Sequence, residues 1–218
     1  MEKLKVLVLT DHTNHSRENS LYALLPTMAK HSMVEQIDVA SRGELINQFF
    51  FNSHINKSLF VTRIGENFSF SVNGNFFKKG MRREYLSAYD VIWLRMPPPI
   101  APEFLYFLKM TFEDKIIIND PFGIYETGSK EFLMNFRELC PPITVCRSLD
   151  DIVKFKNLFP IVLKPFREYG GKGIVKIDGD KVWSGNEEMS FTEFSKSLWK
   201  NDIEYLGCLL YTSPSPRD

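Results

Sequence analysis

Residues 161–177 constrain this chain more than any other stretch. Ile161-Val162-Leu163-Lys164 reads as a short apolar strand ending in a lysine, and Ile174-Val175-Lys176-Ile177 as a second strand. Between them lies a loop carrying Gly170, Gly171 and Gly173. Lysine is a compact point charge suited to phosphate. The glycines let the backbone approach an anion and aim its N–H groups at anionic oxygens. The loop is not a Walker loop, because no Gly-Lys-Ser/Thr opens a helix after it. It is not a dinucleotide fingerprint either, because Gly173 leads into a strand. Each part alone has a plainer reading. Lys164 is also a lysine that snorkels to the surface at a strand end, and the loop is also an ordinary hairpin connection.

Composition narrows what surrounds this loop. The formal net charge is +0, which argues against a nucleic-acid binder, since those carry a basic excess. No apolar run approaches the ~20 residues needed to cross a bilayer as a helix. Met1-Glu2-Lys3-Leu4-Lys5 enters a strand pattern without the apolar stretch of a secretory signal. Cys140, Cys146 and Cys208 offer neither a disulfide framework nor metal-ligand spacing. The expectation is a cytoplasmic protein with reduced thiols and no membrane partner.

Leu4–Leu9 reads as a buried parallel strand. Ser20 begins a helix running to Lys30 with Leu21, Leu24, Leu25 and Met28 on one face, and Pro26 predicts a kink in it. Ile37–Ala40 is a second strand, so the chain opens as a doubly wound sheet. Leu59–Ile64 and Asn67–Val72 read as strands, with Asn73-Gly74 as a hairpin turn before Asn75-Phe76-Phe77. Val91–Leu94 is a buried strand closed by Arg95, and Pro97-Pro98-Pro99 forbids its continuation. A helix is predicted from Pro102 to about Phe112, then a strand at Ile116–Ile118. Ser129–Leu139 fits a helix with Phe132, Leu133 and Phe136 inward. Ile143–Cys146 is a strand. Ser148 is an N-cap for a helix to Phe155, with Asp151 as its acid in the first turn. Asp178-Gly179-Asp180 turns into Lys181-Val182-Trp183, and Phe191–Trp199 is a helix. Asp202–Leu206 looks like a strand entering a core.

Residues 208–218, Cys-Leu-Leu-Tyr-Thr-Ser-Pro-Ser-Pro-Arg-Asp, match the in-frame translation of a transposase-type sequencing adapter. Such segments are set aside in fold reasoning. The expectation is that native sequence stops near Gly207 because a read stopped.

Among candidate site residues, Arg95 ends a central strand, where ligands bind in open α/β sheets. Its guanidinium suits a carboxylate or phosphate, and a salt bridge to a neighbouring loop is the other reading. Lys130 precedes an apolar helix and reads alone as a surface lysine. His12 and His15 follow the first strand, but no further metal ligands accompany them. No Ser–His–Asp, Cys–His, HExxH or CxxC arrangement occurs, so catalytic residues stay unassigned and no metal ligand is named.

Together these segments resemble prokaryotic-type glutathione synthetase, of the ATP-grasp superfamily. Val91–Pro99 with Glu103-Phe104 is similar to that family's strand-Arg-x-x-Pro-Pro segment before its Glu-Phe helix. Ile118-Asn119-Asp120-Pro121 resembles its Asn-x-Pro, and Glu126–Phe132 the helix start whose lysine contacts ATP. Ile161–Pro165 and Gly170–Gly173 resemble its strand lysine and flexible glycine loop. Glu18-Asn19-Ser20 resembles a polar triplet of the substrate-side loop, with Glu18 where the family usually has Asp. The resemblance covers about residues 4–207 and is weaker across 41–87.

It implies an α/β fold: a Rossmann-like parallel-sheet N-terminal (pre-ATP-grasp) domain, residues 1–122, then the first lobe of an ATP-grasp domain, residues 123–207. It implies a ligase that joins γ-glutamylcysteine and glycine through an acyl phosphate, with ATP and Mg2+. Homo-oligomer and monomer both stay open, since the sequence does not give the oligomeric state. Lys130, Lys164, Tyr169, Gly170, Gly171 and Gly173 would contact ATP, and Arg95 and Ser20 the substrate. The metal ligands would lie beyond residue 207, so the chain by itself is expected to be inactive. Another ATP-grasp carboxylate–amine ligase and a non-catalytic ATP-binding module remain the alternatives.

Overall fold

The computed structural model describes residues 3–198 and 203–210. The chain divides into two compact units, Met1–Tyr125 and Glu126–Asp218.

The first unit contains β1 (Leu4–Thr10), α1 (Leu21–Ala29), β2 (Val34–Ser41), α2 (Gln48–Phe51), β3 (Ser58–Arg63), α3 (Asn75–Lys78), β4 (Arg82–Tyr85), β5 (Val91–Arg95), α4 (Pro102–Thr111) and β6 (Ile116–Ile118), with α5 (Pro121–Thr127) after them. Its six-stranded sheet has the order β4-β3-β2-β1-β5-β6. β2, β1, β5 and β6 run parallel; β3 and β4 add antiparallel pairings at one edge. The central strands are buried on both faces, which explains their unbroken apolar runs. Leu7, Leu9, Ile92 and Leu94 pack with Phe50, Phe104, Phe107 and Leu108 on one side. Val6, Val8, Ile37 and Val39 pack with Leu21 and Leu25 on the other.

The expected strand–helix–strand opening and the strands at Val91–Leu94 and Ile116–Ile118 are present. Two readings change. Leu24 is exposed; Leu21 and Leu25 are the fully buried residues of α1, and Met28 packs partly buried against the same cluster. Asn67–Val72 forms no strand, and Gly74 makes no hairpin turn. Gly74, at φ 60°, instead precedes the short helix α3, which carries Phe77 into the core. Phe68, Phe76 and Phe77 cluster with Tyr22, and ring burial there outweighs the alternating pattern.

The second unit contains β7 (Ile143–Cys146), α6 (Leu149–Lys156), β8 (Ile161–Pro165), β9 (Val175–Asp178), β10 (Lys181–Ser184), β11 (Glu187–Ser190), α7 (Phe191–Leu198) and β12 (Tyr205–Leu209). They form a six-stranded sheet in the order β11-β10-β9-β8-β12-β7, antiparallel throughout. α6 begins as expected: Ser148 Oγ accepts from Asp151 N–H, and the Asp151 carboxylate accepts from Ser148 Oγ–H and Arg147 N–H. Residues 130–139 do not form the expected helix. They make tight 3-10 turns broken at Phe136 (φ −129°), and Leu133 and Phe136 stay exposed. Only Met134 of this stretch packs against Ile143, Phe166 and Leu206, so little burial rewards a regular helix.

β12 runs further than the sequence implied. Cys208 and Leu209 continue its pairing with β8, and Leu210 N–H donates to Pro160 O at 2.8 Å. Backbone pairing carries this extension, so it needs only side chains that tolerate a strand. Trp199, Asp202 and residues 211–218 lie outside the described residues.

Candidate functional site

The glycine loop connects β8 and β9 in the second unit. Ile161 and Leu163 of β8, Val175 and Ile177 of β9 and Val182 of β10 face the core under α6 and α7. Alternation therefore turns Val162, Lys164, Lys176 and Trp183 to the opposite face. The two ends of that face differ. Across β7 and β12 it is covered by Met134, Cys140 and Phe166. Beside the loop it is open, and a cavity of about 560 Å³ is lined by Gly171, Ile174, Lys176, Trp183 and Gly185.

Gly170, Gly171 and Gly173 have φ of 65°, 79° and 67°. This left-handed conformation is strained for residues with a side chain. A Cβ on Gly170 or Gly171 would meet nothing within 4 Å, whereas one on Gly173 would lie 2.9 Å from Pro165 Cγ. The loop's tip is thus open, and its exit is packed.

Lys130 is tied to the base of the loop. Its Nζ donates to Pro165 O at 2.7 Å and to Glu168 O, and its backbone N–H to Phe166 O at 3.1 Å. The ammonium lies 5.4 Å from the Tyr169 ring centroid, within cation–π reach, and Tyr169 Oη donates to Gly128 O at 2.6 Å. Burial lowers the Lys130 pKa, and the charge of Lys164 lowers it further against the opposing pull of Glu168. Lys164 therefore lies close enough to be felt electrostatically. Lys164 has no hydrogen-bond or ion-pair partner among the described residues. The structure thus groups Lys130, Lys164, Tyr169 and the glycines around one loop. Lys176 and Trp183 were missed, because Val-Lys-Ile-Asp reads as an ordinary half-exposed strand; the strand alternation together with the Asp178-Gly179-Asp180 turn was the available signal.

The first unit holds a separate cluster where β1, β2 and β5 end. Arg95 Nη2–H donates to Ser20 Oγ at 2.7 Å, and its guanidinium carbon lies 5.5 Å from the Trp93 ring. Arg95 has no carboxylate partner among the described residues, so its remaining donors are free for an anion. Thr10 Oγ–H donates to Arg95 O at 3.0 Å, and its oxygen accepts from His15 Nε2–H at 2.9 Å. This leaves His15 Nδ1 to accept from Tyr22 Oη–H at 2.8 Å, and burial pushes the Tyr22 pKa up to about 12.

His12 is held equally firmly. Ser41 Oγ accepts from the His12 and Gly43 N–H groups, so its hydroxyl donates to His12 Nδ1 at 2.7 Å. His12 Nε2 then faces Glu44 at 3.6 Å, and its ring stacks on Phe77 at 4.8 Å. Burial lowers the pKa of both histidines. Burial raises that of Asp11, but its hydrogen bonds from Thr13 and Arg42 outweigh this and hold it below the usual carboxylate range. Among the described residues, no group of three or more His, Cys, Asp or Glu is placed to hold a metal ion.

Comparison with known proteins matches no family model. The chain is similar to curated glutathione synthetases. It is 30% identical over 122 residues to that of Bradyrhizobium diazoefficiens, covering 54% of this chain and 39% of the relative. It is 35% identical over 112 residues to that of Yersinia pestis, covering 49% and 35%. It is 32% identical over 144 residues to that of Buchnera aphidicola, covering 63% and 42%. The matched stretch is thus about two fifths of those relatives' length. Among solved structures, the ADP complex of N5-carboxyaminoimidazole ribonucleotide synthetase aligns with TM-score 0.53 at 14% identity, covering 97% of this chain and 48% of that one. D-alanine–D-alanine ligase from Helicobacter pylori aligns with TM-score 0.50 at 10% identity, covering 96% and 67%. The ATP-grasp ligase PsnB aligns with TM-score 0.50 at 12% identity, covering 97% and 65%. The fold is α/β: a largely parallel sheet followed by an ATP-grasp lobe.

Proposed function

We propose that the glycine-loop unit is the phosphate-holding lobe of an ATP-dependent carboxylate–amine ligase of the glutathione synthetase type. The observation that carries this reading is the pairing of an unpartnered Lys164 with an open left-handed glycine loop, whose base is fixed by Lys130. An unpaired lysine beside exposed backbone N–H groups is an anion site. Its place in a lobe of ATP-grasp architecture makes ATP the anion. Similarity to glutathione synthetases supports γ-glutamylcysteine and glycine as the substrates.

In this reaction a carboxylate oxygen of γ-glutamylcysteine attacks the γ-phosphorus of ATP, and ADP leaves. The glycine amine then attacks the acyl carbon, the C–N bond forms and inorganic phosphate departs with the acyl–oxygen electron pair. Lys164 and the loop amides hold the phosphate chain, and Lys130 with Tyr169 fixes the loop's base. A loop with an open tip closes over the phosphates and keeps water from the acyl phosphate. Arg95, oriented by Ser20, holds a substrate carboxylate at the end of the parallel sheet. Mg2+ neutralises phosphate charge in such reactions; the described residues offer no ligand group for it, and no step here runs through it. The setting is cytoplasmic, and no helix among the described residues is long and apolar enough to cross a membrane.

Calorimetric titration of the chain with ATP tests the reading. A charge-assisted hydrogen bond of about 1.5–3 kcal/mol predicts that Lys164→Ala weakens ATP binding roughly tenfold to a hundredfold. Equal affinity in the variant, or no binding by the wild type, would remove Lys164 from a nucleotide site.

A further inference from the structure

We propose that Lys176 is a third phosphate-contacting cation of the nucleotide site, set beside Lys164 on the open half of the second unit's sheet. The inference rests on the ATP reading above and adds a residue to it.

Register places the two lysines together. Val162 of β8 lies directly across from Lys176 of β9, and Lys164 is two residues along β8 on the same face. Diagonal neighbours of this kind sit roughly 7–8 Å apart at the backbone, within reach of long side chains. Both stems rise from the face opposite the core formed by Leu163, Val175 and Ile177.

Neither lysine has an ion-pair or hydrogen-bond partner among the described residues. The nearest cross-strand acid on β11 is already committed. Glu188 accepts from Trp183 Nε1–H at 3.0 Å and lies 3.6 Å from Lys181 Nζ. Trp183 stands directly across from both Lys176 and Glu188, so the indole occupies the position between them. Asp178 shares the Lys176 face two residues along β9, but pairs in register with Lys181. Two unneutralised ammonium groups on one face repel each other, and a polyanion between them removes that cost.

The cavity gives this charge a place to act. Lys176 lines it together with Gly171 of the glycine loop, and Trp183 forms its wall. A phosphate chain lying along the loop amides from Lys164 would therefore enter the cavity that Lys176 lines. Lys176 acts as a binding and positioning residue, since it supplies charge without taking part in bond making.

The test compares phosphate number. The full chain and its Lys176→Ala, Lys176→Arg and Lys164→Ala variants are titrated calorimetrically with ATP, ADP and adenosine. Lys176→Ala is expected to weaken ATP and ADP about tenfold, to leave adenosine unchanged and to unfold at the wild-type temperature, with Lys176→Arg restoring most of the loss. Should Lys164→Ala lose ATP while Lys176→Ala binds it like the wild type, the inference is overturned and the ATP reading stands. If Lys164→Ala also binds like the wild type, both fall. An equal loss for adenosine would mark a structural effect and likewise overturn the role.

Discussion

The histidine cluster of the first unit and the lysines around the glycine loop of the second are in opposite states. At the end of the parallel sheet, the polar groups answer one another. His12 is held by Ser41 and stacked on Phe77, His15 is bonded at both nitrogens, and Asp11 is paired to Arg42 at 2.9 Å. Around the glycine loop the side chains of Lys164 and Lys176 have no partner among the described residues, and a Cβ at Gly170 or Gly171 would meet nothing within 4 Å. A saturated network fixes geometry before any ligand arrives. An unsaturated one stores affinity for a ligand of opposite charge. Polar side chains gathered where strands end therefore serve two roles, and only the partners decide which; Arg95, bonded to Ser20 with donors left over, keeps the open state within the first unit.

Adding a side chain at the left-handed glycines of each unit separates the two states. Gly74 has φ 60°, and a Cβ there would lie 2.3 Å from His12 Cδ2. The imidazole cannot retreat without losing Ser41 and the Phe77 stack. A left-handed residue with a side chain costs roughly 1–2 kcal/mol, and overpacking adds about 1–3 kcal/mol. Gly74→Ala should therefore destabilise the first unit by about 3 kcal/mol in urea unfolding. A loss below about 1 kcal/mol would mean that His12 is loosely held and the network is not rigid.

How much of this was legible follows from where burial and backbone chemistry decide the structure. Val91–Arg95 and Ile161–Lys164 were readable because strands buried in a sheet centre must be apolar throughout, and a charge at the end must leave it. Ser148 and Asp151 were readable because a capping pair is local. β4 was not: Arg-Arg-Glu-Tyr carries no strand pattern. It forms where Arg82 reaches the fully buried Asp38 at 2.6 Å, a carboxylate that also accepts from Arg63 and Tyr89. That partnership spans 44 positions in sequence. Arg95 and Ser20 were each named, but their 2.7 Å contact depends on how β1, α1 and β5 assemble. Lys176 was invisible because its meaning lies in the register of β8 against β9.

Acid provides a second, smaller test of the contrast. All four histidines lie in residues 1–125, and burial depresses the pKa of His12 and His15 in the folded state. Glu44 and Asp11 pull the His12 value the other way, and Lys78 lowers it further. With folded values below the ordinary value of about 6.5, the unfolded chain binds more protons as pH drops, so stability falls with it. The loss begins near pH 6.5 and continues until the folded histidines titrate. It should appear as a decline in the unfolding midpoint of the first unit between pH 7 and 5, and His12→Asn/His15→Gln should flatten it. The second unit should hold its midpoint across that range. A matching decline there would show that the histidines are not its source.

The smallest effect is expected at the loop tip. Gly171 has φ 79°, and a Cβ would meet nothing within 4 Å. Gly171→Ala then carries only the conformational cost of the left-handed residue, about 1 kcal/mol, and no packing loss. Gly173→Ala shares that cost and adds the Pro165 contact at 2.9 Å, so it should destabilise more. Urea unfolding of the two variants reads the difference directly. If the tip is held open for an anion, Gly171→Ala should also weaken ATP binding by more than its stability cost accounts for, because its strained backbone no longer presents the adjoining N–H groups in place. Equal stability losses at both glycines would mean that the tip is packed like the exit, and that the open half of the sheet is no more available to a ligand than the closed network of the first unit.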